Sequence, residues 1–287
     1  MARVKGQLKY SGSIQDTTFY SLPGSDAVFA RMKGGPSKRR MKEGEEFALL
    51  RKHQKEWAAC VLFSKKLDAY TFRMKQLGDY NVSPVWNGIG KKLINLDKTH
   101  VIGERWLELS KYPLALEGFN MNKNFQFNAV FKASIQFELN KSEQSITIKV
   151  PRFNSQNELF NLRKLPYFRL KFSIALFSDI YFDTEAKDKP YKFFMERTAK
   201  MGDEIETSWL STNDLIPANE YTLTVEQIVP EELKMHYTYL FCAGIEFATN
   251  GFAGLIEPVK NASAAKILLA ESALANSNQE IGNAKIL

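Results

Sequence analysis

Across residues 125–139 every odd position is apolar, and every even position except Val130 is polar. A period of two is the pattern of a strand with one buried and one solvated face, so this stretch predicts an antiparallel strand burying Phe127, Phe131, Ile135 and Phe137. Shorter alternations follow at 146–150, 168–176, 221–225 and 237–247, and residues 266–270 read as either a last strand or a helical turn. Successive one-faced strands joined by polar turns favour a mainly β fold. The expected architecture is an antiparallel β-sandwich, immunoglobulin-like or jelly-roll-like.

The start of the chain is patterned differently. Thr17, Thr18, Phe19 and Tyr20 favour a strand, Pro23-Gly24-Ser25-Asp26 supply a turn, and Ala27-Val28-Phe29-Ala30 return, which predicts a β-hairpin over residues 14–31. Gly34-Gly35-Pro36 ends it. Residues 43–77 predict a long helix. Glu43, Glu45 and Glu46 complement the dipole of its first turn, and Phe47, Leu50, Trp57, Val61 and Leu67 recur at helical spacing as one apolar stripe. That stripe packs on the rest of the protein or on another subunit. Asn87-Gly88-Ile89-Gly90-Lys91-Lys92 has the Gly-Lys pair of a phosphate loop, but Val85 and Lys92 stand where such a loop needs Gly and Ser or Thr, so it reads as a turn. Residues 104–110, with Trp106, Leu107 and Leu109, read as a second short helix.

These patterns divide the chain into a hairpin-plus-helix module (1–80), a mixed connector (81–122), a β-sandwich domain (123–270) and a polar C-terminal tail of small residues (271–287). Charge sharpens the division. Residues 1–80 hold 16 of the 39 Lys+Arg and 8 of the 32 Asp+Glu, so the net +7 belongs wholly to the N-terminal module. A clustered field steers association with nucleic acid, an acidic protein surface or an acidic patch on a sister subunit. Arg31, Lys33, Lys38, Arg39, Arg40, Arg51, Lys52 and Lys55 are the candidate contacts, with Phe19, Tyr20 and Trp57 nearby in sequence for stacking. For Ser37-Lys38-Arg39-Arg40 the plainer reading is a solvated loop.

With 44% hydrophobic and 25% charged residues, the composition is that of a folded protein and not of a disordered chain. Cys60 and Cys242, far apart in sequence, support neither a disulfide framework nor a zinc finger and read as core. His53, His100 and His236 lack metal-ligand spacing and read as partly buried structural residues. Asp183-Thr184-Glu185-Ala186-Lys187-Asp188 lacks the Gly and terminal Glu of a calcium loop and reads as a solvated turn. No nucleophile elbow, dinucleotide fingerprint or kinase motif is present. The reading is a non-enzyme with no catalytic residue, cofactor or metal. No apolar run follows the N-terminus, and Glu246, Asn250 and Glu257 interrupt the apolar stretch 237–259, so a cytoplasmic protein without a membrane span is expected.

One further pattern runs along the chain: Met1-Ala2-Arg3, Lys5-Gly6, Gly12, Ile14, Asp16, Thr18-Phe19-Tyr20, Ala30-Arg31 and Lys33-Gly34-Gly35. It continues through Arg40, Phe47-Ala48, Arg51, Glu56-Trp57, Gly103-Glu104-Arg105 and Leu116-Glu117-Gly118-Phe119-Asn120-Met121-Asn122. In this the chain resembles a family of Bacteroidota proteins of unknown function, whose members have Phe in place of Trp57 and Asn in place of His53. The resemblance implies a basic N-terminal module, a β-rich remainder and a bacterial cytoplasmic or mobile-element setting. It brings no catalytic residue. The expected role is therefore a structural or interaction protein that assembles with copies of itself, with nucleic-acid binding through the basic module as the alternative.

Overall fold

The structure, a computed structural model, describes residues 2–4, 11–22, 25–32, 34–186, 188–194 and 201–274, the first three by backbone alone. It is a mainly β chain of antiparallel sheets with an N-terminal hairpin and a long helix. Contacts divide it into two compact units, Met1–Arg51 and Lys52–Leu287.

In the first unit β1 (Ala2–Val4), β2 (Gly12–Ile14), β3 (Thr17–Ser21) and β4 (Val28–Met32) form one sheet in the order β1-β4-β3-β2. The expected hairpin is β3–β4, with Phe19 opposite Ala30 and Tyr20 opposite Phe29. Pro23 and Gly24 of its turn lie outside the described residues. The basic run expected as a loop is instead a short helix, α1 (Lys38–Glu43), because Ser37 caps it by accepting a hydrogen bond from the Arg40 N–H at 3.2 Å.

The single helix expected over 43–77 is broken into a 3-10 turn at Glu45–Phe47, then α2 (Ala48–Tyr70) and α3 (Phe72–Lys75). The expected stripe is also corrected. Leu67 is buried, but Leu50 is 41% and Trp57 48% exposed, while the covered side of α2 is Glu56, Ala59, Cys60, Phe63 and Leu67. These recur at i, i+3/i+4, i+7 and i+11, an equally helical set whose first member is charged. Asn87 to Lys92 lie inside α4 (Ser83–Leu96), not in a turn. Gly90 lies where α4 closely approaches α2: a Cβ there would sit 3.2 Å from the Phe63 ring and 3.4 Å from Cys60 Cα, a tight fit.

The remaining elements are α5 (Phe127–Val130), β5 (Gln136–Asn140), β6 (Ser145–Val150), β7 (Phe153–Asn154), β8 (Tyr167–Ser178), β9 (Ile180–Phe182), β10 (Tyr191–Phe193), β11 (Gly202–Glu206), β12 (Leu210–Ser211), β13 (Leu215–Ile216), β14 (Asn219–Thr224), β15 (Tyr237–Asn250), β16 (Ile256–Pro258) and β17 (Ala264–Ser272). The central sheet runs β11-β8-β15-β16, with β12 on β8 and β17 on β15; a second sheet runs β14-β6-β5. Residues 266–270 are thus strand. Between the sheets lies the sandwich core of Phe137, Ile146, Ile148, Phe172, Phe241, Ile245 and their neighbours, with Phe137 and Phe241 rings 5.1 Å apart.

Two expectations about these strands are corrected. Residues 127–130 form a helical turn, and only β5 is strand within 125–139, although the odd positions from Phe131 to Phe137 are buried as expected. Strands β8 and β15 are covered on both faces, not one. Their second face packs under α2, α3 and α4, where Phe177, Leu240 and Cys242 meet Phe63, Leu67, Met74 and Trp86. At Gly244 a side chain would fall 2.5 Å from Leu77 Cδ1 and 3.0 Å from Met74 Sδ. Polar residues on that face are paired rather than wet: Lys171 Nζ lies 3.2 Å from Glu206 and 3.0 Å from Glu246, and Arg169 bonds both carboxylates while stacking 4.4 Å over Trp209. Among the described residues no helix is long and apolar enough to cross a membrane.

Candidate functional site

The candidate basic residues are divided between the two units. Arg31, Lys38, Arg39, Arg40 and Arg51 belong to the first unit, Lys52 and Lys55 to the second, and Lys33 lies outside the described residues. Arg39 pairs with Glu43 at 3.0 Å and Arg40 with Glu46 at 2.8 Å. Arg51 donates to the carbonyls of Met41 and Gly44, tying α1 to the start of α2. Arg31 lies 5.5 Å over the Tyr20 ring, and Lys55 lies 5.8 Å over Phe182. Phe19 and Tyr20, adjacent in sequence, point to opposite faces of their strand.

The feature that patterning missed is a segment of irregular backbone, residues 97–110, held by its own Asp97 and by two carboxylates from elsewhere in the second unit, Glu56 and Asp179. Asp97 accepts hydrogen bonds from the Thr99, His100 and Trp106 N–H groups at 2.8, 3.2 and 2.7 Å. Glu56, fully buried, accepts from the Gly103 N–H at 2.9 Å and from Arg105 twice, at 2.6 and 2.8 Å, with Lys91 Nζ at 2.7 Å. Asp179, also fully buried, accepts from the Ser110 N–H at 2.9 Å and from its hydroxyl. The helix expected at 104–110 cannot form, because these N–H groups are taken and Leu107 bridges Ile180 in extended form. Glycine is required at 103, where φ is +101°.

Electrostatics follow the pinning. Burial alone would raise the Glu56 carboxyl, but Arg105, Lys91 and the Gly103 N–H outweigh it and hold the group down at about 2. Asp97 is likewise driven low by its donors against burial. Burial pushes Asp179 up, against the nearby His236 and the hydrogen bonds from Ser110.

What the segment displays is aromatic. His100, with Nδ1 2.7 Å from Asp97, stacks on Trp106 at 4.7 Å; Trp106 meets Phe194 edge-on at 5.4 Å, and Phe194 stacks on His236 at 3.7 Å. Val101 and Ile102 beside them are 62% and 40% exposed. Serine, histidine and aspartate are neighbours here without the geometry of a nucleophile, since the Ser110 hydroxyl is bound to Asp179 and His236 Nδ1 lies 3.7 Å from that carboxylate. A pre-ordered surface of Trp, His and aliphatic side chains is suited to contact.

The histidines divide: His236 is partly buried, whereas His53 and His100 have 45% and 38% of their side chains exposed. Cys60 and Cys242 are buried and free, and burial raises both thiols, to about 11 and about 12. Glu56, Gly103 and Arg105 have structural work as above, and Asn122 bonds Leu77, Ser263 and Ala265 backbone groups. No protein-family model, curated protein or solved structure matches the chain.

Proposed function

We propose that the protein is a non-enzymatic building block of the bacterial cytoplasm that associates with copies of itself. One observation carries this reading: among the described residues of the first unit, Val28 is the one buried side chain. A small sheet needs a covered hydrophobic face to be stable, and a unit of this size has little surface to bury by itself. A second copy supplies that cover. The test is light scattering on the full chain against a chain lacking residues 1–42. A mass above 32.8 kDa that rises with concentration and falls on truncation supports the reading, and a monomer at every concentration ends it.

A second reading, nucleic-acid binding, is supported by the excess of charge in the first unit, where residues 1–51 hold 10 Lys+Arg and 5 Asp+Glu. Its measure is the salt dependence of DNA binding. Changing Lys38, Arg39 and Arg40 to Ala should reduce the slope of log K against log salt by up to about three.

A further inference from the structure

We infer that a cleft at the side of the sandwich core binds a small apolar monocarboxylate, its body among Phe127, Phe131, Ile135 and Leu268 and its charge on Lys266. The site is independent of the self-association reading.

The cleft has a volume of about 180 Å³ and lies between β17 and the chain that runs from α5 into β5. Its apolar walls are Phe127, Phe131, Ala133, Ile135 and Leu268, all buried; Asn128 and Lys132, both exposed, complete the lining. A bulge in β17 shapes one wall. Phe241 of β15 is opposite Leu269 and the next residue, Cys242, is opposite Ile267, so Leu268 has no partner across the ladder. The extra residue of a bulge re-aims its side chain, and here Leu268 and Leu269 both join the sandwich core while Ile267 and Ala270 join the helical core. Alternation along β17 puts Lys266 on the same side as Leu268.

Lys266 selects the charge of the ligand. The residue is 9% exposed, and the partner of its Nζ among the described residues is the Asn128 side-chain oxygen at 3.4 Å, with no carboxylate paired to it. A buried cation is ordinarily matched by an anion. The other buried cations obey this, Arg105 on Glu56 and Lys171 on Glu206 and Glu246. Lys266 departs from it next to a cleft whose lining contains no acidic residue. Asn128 both lines the cleft and touches Lys266, so one carboxylate there can accept from the ammonium and from the side-chain amide together.

Volume and wall chemistry select the rest of the ligand. An apolar cavity of about 150 Å³ holds benzene, so this cleft takes a phenyl ring or an alkyl chain of about six carbons. Phenylacetate and hexanoate have that size with a single carboxylate at one end. A second charge on the ligand would fall on the apolar walls, where no donor meets it.

The experiment is calorimetric titration of the full chain with phenylacetate, with the neutral phenylacetamide and with the cationic phenethylamine. Phenylacetate should bind, the amide about tenfold more weakly or worse, and the amine not at all. Lys266→Met, which keeps an apolar stem and removes the charge, should lower the affinity for phenylacetate to that for the amide. Ala133→Leu, which fills the cleft, should abolish binding of both. Methyl resonances of the unaltered chain keep the test independent of how the variants fold: those of Ala133, Ile135 and Leu268 should shift as phenylacetate is added. Equal affinity for phenylacetate and phenylacetamide, or undiminished binding to K266M, overturns the role of Lys266. Shifts that spare these three methyl-bearing residues overturn the cleft. Neither heat nor shifts with millimolar phenylacetate or hexanoate overturns the site altogether.

Discussion

Glu56 joins α2, α4 and the irregular segment through one carboxylate, which serves two cations and a backbone N–H. Replacing it with Gln removes the negative charge but keeps the shape, leaving Arg105 and Lys91 side by side without compensation. Breaking a buried pair in this way typically costs about 3 kcal/mol or more, and urea unfolding of E56Q should show a loss of that order. The pH dependence has a definite sign. The folded carboxyl is held at about 2, below its ordinary 4.5, so its contribution is complete above 4.5 and is lost as pH falls towards 2. The parent should lose stability across that window more steeply than E56Q. By contrast Arg39→Ala, which breaks an exposed pair with Glu43, should change stability by no more than about 1 kcal/mol.

At the scale of elements, the buried odd positions make the sharpest test. Phe131→Asp should unfold the second unit, because a carboxylate replaces a ring packed 5.2 Å from Phe153 in the sandwich core. Lys132→Asp, at the adjacent exposed position, should move the urea midpoint little, within about 0.5 kcal/mol. Which parts of the fold were legible follows the same logic. Strands β5, β6, β8, β14 and β15 announced themselves by alternation, since one face of each meets the sandwich core. The helical turn α5 did not, because Phe127, Val130 and Phe131 fit i, i+3 and i+4 as well as they fit a strand; Val130, the one apolar even position, was its signal. Glycines at 88 and 90 suggested a turn, whereas Gly90 serves a close helix approach set by Phe63, 27 residues away in sequence. The irregular segment at 97–110 was invisible for a related reason. Its shape is dictated by Glu56 and Asp179, which no local window contains.

The two cores of the second unit share one wall, and this decides how the whole molecule should unfold. Each of β8 and β15 contributes alternate side chains to the sandwich core and to the helical core, so neither core can open without exposing the back of the other. Phe63, fully buried on the helical side, packs edge-on against Phe177 of β8 at 5.2 Å; Phe241, fully buried on the sandwich side, packs against Phe137. Truncating either to Ala should cost about 3–5 kcal/mol. Both variants should lower the same cooperative transition, with the fluorescence of the four Trp, buried Trp86 among them, and far-ultraviolet circular dichroism falling together. If Phe63→Ala instead split the two signals, with fluorescence lost first and strand signal surviving, the helical layer would be a separate folding unit resting on a self-sufficient sandwich. The polar back of β8 argues for the shared transition. Arg169 and Lys171 pair with Glu206 of β11 and Glu246 of β15, and Arg73 of α3 bonds the same Glu206, so stripping the helices would take one cation from that network and open it to water.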